Sequence, residues 1–103
     1  MNNNKLQEAK GHFTRICNDN PKDAEAWYQL STINGRLGDI AAAGECCQRV
    51  LDIQPAHYDA QVNFGNVLYI QGKIVEATNQ YQRAIKINPG NPSAYINLGN
   101  ILV

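Results

Sequence analysis

The sequence predicts an all-α protein built as a stack of antiparallel helix pairs, and three observations carry that expectation. Pro21, Pro55 and Pro89 stand 34 residues apart (55 − 21 and 89 − 55). Many other columns keep the same step, and within each unit the apolar residues recur at helical spacing. Self-similarity at such a period marks an array in which each unit is one supersecondary element.

The elements follow in order, six helices in all, with bounds good to about two to four residues. The first is expected over about 4–18, where Leu6, Ala9, Phe13 and Ile16 share a stripe. Pro21 closes that unit. The second is expected over about 24–37, with Trp27, Leu30, Ser31 and Asn34 at i, i+3, i+4 and i+7. Gly38 then stops the helix and Asp39 restarts it. The third, about 40–53, carries Ile40, Ala43, Cys47 and Val50, the images of the first helix's stripe one period later. After Pro55 the fourth, about 58–71, repeats the second helix's stripe as Phe64, Gly65 and Leu68. Gly72 and Lys73 are the next stop and restart, and the fifth helix, about 74–87, holds Ile74, Ala77, Tyr81 and Ala84. Beyond Pro89 a sixth, about 92–103, keeps Tyr95, Leu98 and Gly99 in the columns of Trp27, Leu30 and Ser31.

Composition sets the outer limits. At 103 residues the chain forms one small domain, with little room for a catalytic domain beside it. A hydrophobic share of 44% places it among foldable chains and away from disordered ones. Nine Lys and Arg balance nine Asp and Glu, so the electrostatic footprint of a nucleic-acid or anionic-membrane binder is missing. No apolar run approaches a membrane span, and the start Met1-Asn2-Asn3-Asn4-Lys5 lacks a secretory core. The cysteines, Cys17, Cys46 and Cys47, form no disulfide framework, and a cytoplasmic, reducing location is expected.

A 34-residue helix-turn-helix period with Trp27, Leu30, Ala43 and Pro55, then Phe64, Gly65, Gly72, Ala77, Tyr81, Ala84 and Pro89, resembles the tetratricopeptide repeat. The resemblance covers almost the whole chain. It implies a right-handed superhelical stack, divided as 1–23 (the second half of a repeat), 24–57 and 58–91 (whole repeats) and 92–103 (the first helix of a further one). The unit 24–57 departs most from the family pattern, with Ser31 in place of glycine, Asn34 in place of an aromatic and Cys47 where Phe13 and Tyr81 stand in the other units. Looser packing is expected there. Pentatricopeptide arrays have a nearby period but bind single-stranded RNA, against which the balanced charge argues.

The array looks cut at both ends. Stacked repeats share one core, and terminal units ordinarily need a polar cap. The chain instead finishes Leu98-Gly99-Asn100-Ile101-Leu102-Val103. Either it is a fragment of a longer superhelix, the preferred account, or Leu98, Ile101, Leu102 and Val103 form a self-association surface.

On a helical wheel Gln29, Thr32 and Arg36 fall opposite the Trp27 stripe. One and two periods on, the same columns read Asn63 and Asn97, and Asn66 and Asn100. First helices line the concave groove in tetratricopeptide arrays, so the resemblance implies that these residues line it here. Each amide offers a donor and an acceptor to a peptide backbone. Tyr28, Tyr69 and Ile70 lie near the same face and supply apolar area. The text Asn63-Phe64-Gly65-Asn66 and Asn97-Leu98-Gly99-Asn100 is similar to the repeats of O-linked N-acetylglucosamine transferases. A carboxylate clamp needs several basic groups on this face, and only Arg36 is there.

The expected function is a protein-interaction scaffold that takes a peptide or partner protein in the groove. The alternatives are a targeting arm of a larger enzyme, such as a glycosyltransferase, and a self-assembling unit. No catalytic residues, metal ligands or cofactor are expected: His12 and His57 lie in different parts of the repeat, and no serine has an evident base. His12 and Cys46 share a column, but two ligands are too few for a closed zinc site. Cys47 is read as a small core residue and Trp27 as a packing anchor.

Overall fold

The computed structural model describes residues 3–102, with side chains through Ile101. Its elements are α1 (Asn3–Asp19), α2 (Ala24–Arg36), α3 (Ile40–Ile53), α4 (Tyr58–Ile70), α5 (Ile74–Ile87) and α6 (Ser93–Leu102). All are helices, in the order and almost at the bounds read from the period. Successive helices pack as antiparallel neighbours along a body of 38 × 27 × 21 Å. No helix among the described residues is long and apolar enough to cross a membrane.

The ends of the helices explain the small differences in bounds. α2 and α4 stop at Arg36 and Ile70, because Leu37 and Gln71 act as C-caps whose N–H groups donate back to Ile33 and Val67. Gly38 and Gly72 follow with φ of +83° and +80°, the left-handed region where a Cβ is penalised. Asp23, Asp39 and His57 start the next helices, accepting from the backbone N–H of Ala26, Ala42 and Ala60. His57 does so through Nδ1, which requires that nitrogen to be unprotonated. Lys73, in the column of Asp39, makes no such cap.

Small residues let the helices approach. Ala60, Ala77, Ala84 and Ala94 are fully buried at the crossings, and larger side chains fill the spaces between them. One cluster joins α1, α2 and α3 through Cys17, Ala26, Leu30 and Cys46, with Phe13, Ile16 and Trp27 against it. Another joins α2, α3 and α4 through Ala24, Val50 and Ala60. The third joins α4, α5 and α6 through Val62, Leu68, Ala77, Tyr81, Ala84 and Ala94. Trp27 is the packing anchor that its column suggests. Its ring touches two clusters, its Nε1 donates to the Pro21 carbonyl at 2.8 Å, and the Arg49 guanidinium lies 5.6 Å from the ring centroid. At the start of α4 Tyr58 ties units together, its hydroxyl donating to Asn91 O and accepting from Ala94 N.

The unit 24–57 holds a polar defect. Asn34 is only 3% exposed; its Nδ2 approaches Cys46 Sγ at 3.8 Å, while its buried Oδ1 has no partner. The same column one period later is Leu68, buried and packed in the third cluster. An orphaned buried carbonyl costs about 1–3 kcal/mol, whereas an apolar group of similar shape costs nothing of the kind. Asn34→Leu is therefore expected to raise stability by about 1 kcal/mol. Urea unfolding followed by circular dichroism measures this, and a lower midpoint would show that the amide is satisfied.

Candidate functional site

The first helices of the pairs, α2, α4 and α6, carry the amide columns, and α3 and α5 stand behind them. Between α2, α3 and α4 lies a cleft of about 260 Å³. From α2 it is lined by Ser31, Thr32, Gly35 and Arg36, from α3 by Ile40, Ala43 and Cys47, and from α4 by Asn63, Asn66, Val67 and Ile70. Five residues expected from sequence line it: Thr32, Arg36, Asn63, Asn66 and Ile70. Arg36 is the only charged residue of the lining.

The other expected groove residues lie outside this cleft. Tyr28 is half-buried, its ring 4.9 Å from that of His57. Burial and then the nearby Asp59 carboxylate push the Tyr28 phenol above its ordinary pKa, so it stays a neutral hydroxyl. Gln29 donates to Glu25 on its own helix at 2.7 Å. Tyr69 is exposed at the end of α4, and with Ile70, Ile74 and Val75 it makes an apolar rim around the Gly72 turn. Asn97 is half-buried and Asn100 exposed on α6.

The amides are partly committed to one another, which sequence reasoning did not foresee. Asn66 Oδ1 accepts from the Tyr81 hydroxyl and, at 3.0 Å, from Asn97 Nδ2. What Asn66 still offers a ligand is its NH₂ group; what Asn97 still offers is its carbonyl. The ladder thus presents donors and acceptors from different rungs and not a matched pair at each. Cys47, Ser31 and Val67, on the cleft wall, were also outside the expected site. The signal for them was present: Cys47 breaks the column of Phe13 and Tyr81, and a small residue at a large-residue column leaves space.

The expected self-association residues divide. Leu98 and Ile101 are half-buried against the third cluster, so they serve this chain's own core. The side chains of Leu102 and Val103 lie outside the described residues. Among the described side chains of α6 the open apolar area is Tyr95, 51% exposed, and Ile96, 59% exposed.

Ser31 Oγ donates to the Tyr28 carbonyl at 2.6 Å and also meets the Cys47 thiol. Burial pushes the Cys46 and Cys47 thiols up to about 11 from 9.0, and Cys17 moves in the same direction. All three are buried and reduced, the state in which a thiol is inert. The folded chain keeps protons on Cys46 and Cys47 that the unfolded chain gives up between about pH 9 and 11. Stability is expected to be unaffected by these thiols below pH 9 and to fall as pH rises through 11. Urea midpoints at pH 8 and pH 10.5 check this. A Cys46→Ala/Cys47→Ala variant that loses as much as the parent would refute the assignment to the thiols.

Comparison with known proteins bears on the family and the fold. A family described as TPR repeat matches residues 65–103, and one described as tetratricopeptide repeat matches residues 24–57. None of the curated proteins matches the chain. Among solved structures it is similar to the first TPR of Spaghetti (RPAP3) bound to the HSP90 peptide SRMEEVD, with a TM-score of 0.91 and 22% identity over 97% of this chain and 79% of that one. It is similar to MamA, with a TM-score of 0.90 and 26% identity over 93% of this chain and 56% of that one. A third similarity is to the O-GlcNAc transferase of Thermobaculum terrenum, at 0.86 and 22% over 94% of this chain and only 19% of that one.

Proposed function

The chain belongs to the tetratricopeptide repeat family, and from that premise we propose that it is a scaffold holding an extended peptide in the concave groove between α2, α3 and α4. The observation that carries this reading is the cleft itself, with apolar walls from Ala43, Val67 and Ile70 and polar groups from Thr32, Arg36, Asn63 and Asn66 at its edge. Such a mixture suits a peptide, whose side chains take the apolar wall and whose backbone takes the amides. The similar RPAP3 repeat domain was solved with a peptide, which agrees with this use of the fold. A protein partner also suits the balanced charge, and buried free thiols suit a cytoplasmic setting.

Selection from a random-peptide phage library on the purified chain tests the proposal. Selected peptides should bind with micromolar affinity and lose about 3–10-fold on Asn63→Ala or Arg36→Ala, as expected for one hydrogen bond or ion contact each. Failure to enrich any sequence, or binders indifferent to both substitutions, would overturn it.

Two further readings have their own motivating observations. The chain spans only 19% of the similar transferase, as a targeting arm of a larger enzyme would. The full reading frame decides: an adjoining catalytic segment supports the arm, and its absence removes it. Self-association is favoured by exposed Tyr95 and Ile96, beside Gly99, where an added Cβ would meet nothing within 4 Å. Leu98 packs against the third cluster, so a charge there would disturb the core, whereas Tyr95 and Ile96 are open. Light scattering of Ile96→Glu against the parent tests it; a parent that is monomeric at all concentrations ends this reading.

A further inference from the structure

Corresponding positions of the two whole units are built differently. In the second, Gly65 faces the ring of Tyr81: a Cβ added at Gly65 would lie 2.5 Å from Tyr81 Cε1. The ring is 2% exposed and its hydroxyl donates to Asn66. One period earlier the same places hold Ser31, Cys47 and Thr32. A thiol stands in the column of that ring, and the cleft of about 260 Å³ reaches down to it, with Ser31, Thr32 and Cys47 in its lining; Ser31 and Cys47, 3% and 1% exposed, form its closed floor. Serine stands at the place that glycine holds in the second unit.

We infer that this notch receives a tyrosine side chain from an acidic segment of the bound peptide, in the way that Tyr81 fills the next unit from within. The inference rests on the groove being a peptide site and names the side chain that anchors there. Three features choose the occupant. A cavity of about 150 Å³ already admits a benzene ring, so the cleft has room for a phenol. Its walls at Ala43, Cys47 and Val67 are apolar. Thr32 occupies the column of Asn66, and because its hydroxyl donates to Tyr28 O, its oxygen is left to accept from a phenol O–H. Charge complementarity sets the flanks: Arg36 is the only charged lining residue and favours a neighbouring carboxylate.

Two probes test the inference. The first is p-cresol, the tyrosine side chain alone, titrated while amide signals are followed by NMR. The second is a pair of acetylated, amidated peptides, Asp-Ala-Tyr-Ala-Asp and Asp-Ala-Ala-Ala-Asp. Saturable shifts centred on Ser31, Thr32, Cys47 and Val67 are expected with p-cresol. The tyrosine peptide should bind at least about tenfold tighter than its alanine partner, as burial of one aromatic ring dictates. The double variant Ser31→Gly/Cys47→Tyr rebuilds the neighbouring unit's arrangement and should abolish both effects while keeping its helical circular dichroism. Arg36→Glu, an exposed change, should weaken the tyrosine peptide about tenfold and leave the p-cresol shifts in place. Equal binding of the two peptides, or cresol shifts that persist in the double variant, overturns the notch. Library binders that ignore the notch would leave the groove reading standing without it. Cresol binding with no library binder would uphold the notch and sink the peptide reading.

Discussion

Replacing Tyr81 with alanine is expected to cost about 3–5 kcal/mol, the largest loss any single substitution in this chain should produce. The ring is among the largest fully buried side chains and sits where α4, α5 and α6 meet. Its removal leaves a cavity that Gly65 cannot fill, and Asn66 loses the hydroxyl it accepts from. Small domains are stable by only about 5–15 kcal/mol, so the loss is a large share of the total. A melting temperature lower by at least about 12 °C is expected in thermal unfolding. Because repeats stabilise one another through neighbours only, α6 should lose hydrogen-exchange protection before α2 and α3 do. Tyr81→Phe keeps the ring and should cost only about 0.5–1.5 kcal/mol, the worth of one hydrogen bond. Should Tyr81→Ala melt like the parent, the ring does not hold the three helices together.

Gly65→Ala is the second large effect, and its sign is the reverse of what helix propensity alone suggests. Alanine is better than glycine inside a helix by about 0.8–1.0 kcal/mol. At Gly65, however, the new methyl would lie 2.5, 2.8 and 3.0 Å from three atoms of the Tyr81 ring, which is packed on all sides and has nowhere to go. Overpacking should win, with a net loss of about 1–3 kcal/mol read from urea unfolding. Gly99 stands in the same column on α6 with nothing within 4 Å, so Gly99→Ala should stabilise by up to about 1 kcal/mol. Tyr81→Cys in the Gly65→Ser background should recover part of the loss, since it copies the Ser31 and Cys47 pair. If Gly65→Ala and Gly99→Ala shift stability alike, the column does not work by close approach.

The fold was legible because a repeated sequence states its helix bounds several times over. Gly38 and Gly72 had to be turns, and Asp39 and Lys73 the restarts after them, from spacing alone. The site was only half legible. Helical periodicity says which side chains leave the core together, and so it pointed to Thr32, Arg36, Asn63, Asn66 and Ile70. It cannot say which amides bond to one another, because Asn66, Tyr81 and Asn97 are brought together by three different helices. Nor could it place Leu98 and Ile101 in the core, since a wheel does not show where the neighbouring pair ends.

By itself the sequence determined the helices, their turns, the stacking of pairs and the identity of the family, all properties that depend on local spacing and a constant period. Tertiary structure alone decided that Asn34 carries an unpaired buried carbonyl, that Asn66 is already engaged, and that a cleft lies between α2, α3 and α4 with Cys47 in its lining. The physical reason is that space and hydrogen-bond satisfaction belong to several helices at once, whereas periodicity belongs to each helix alone.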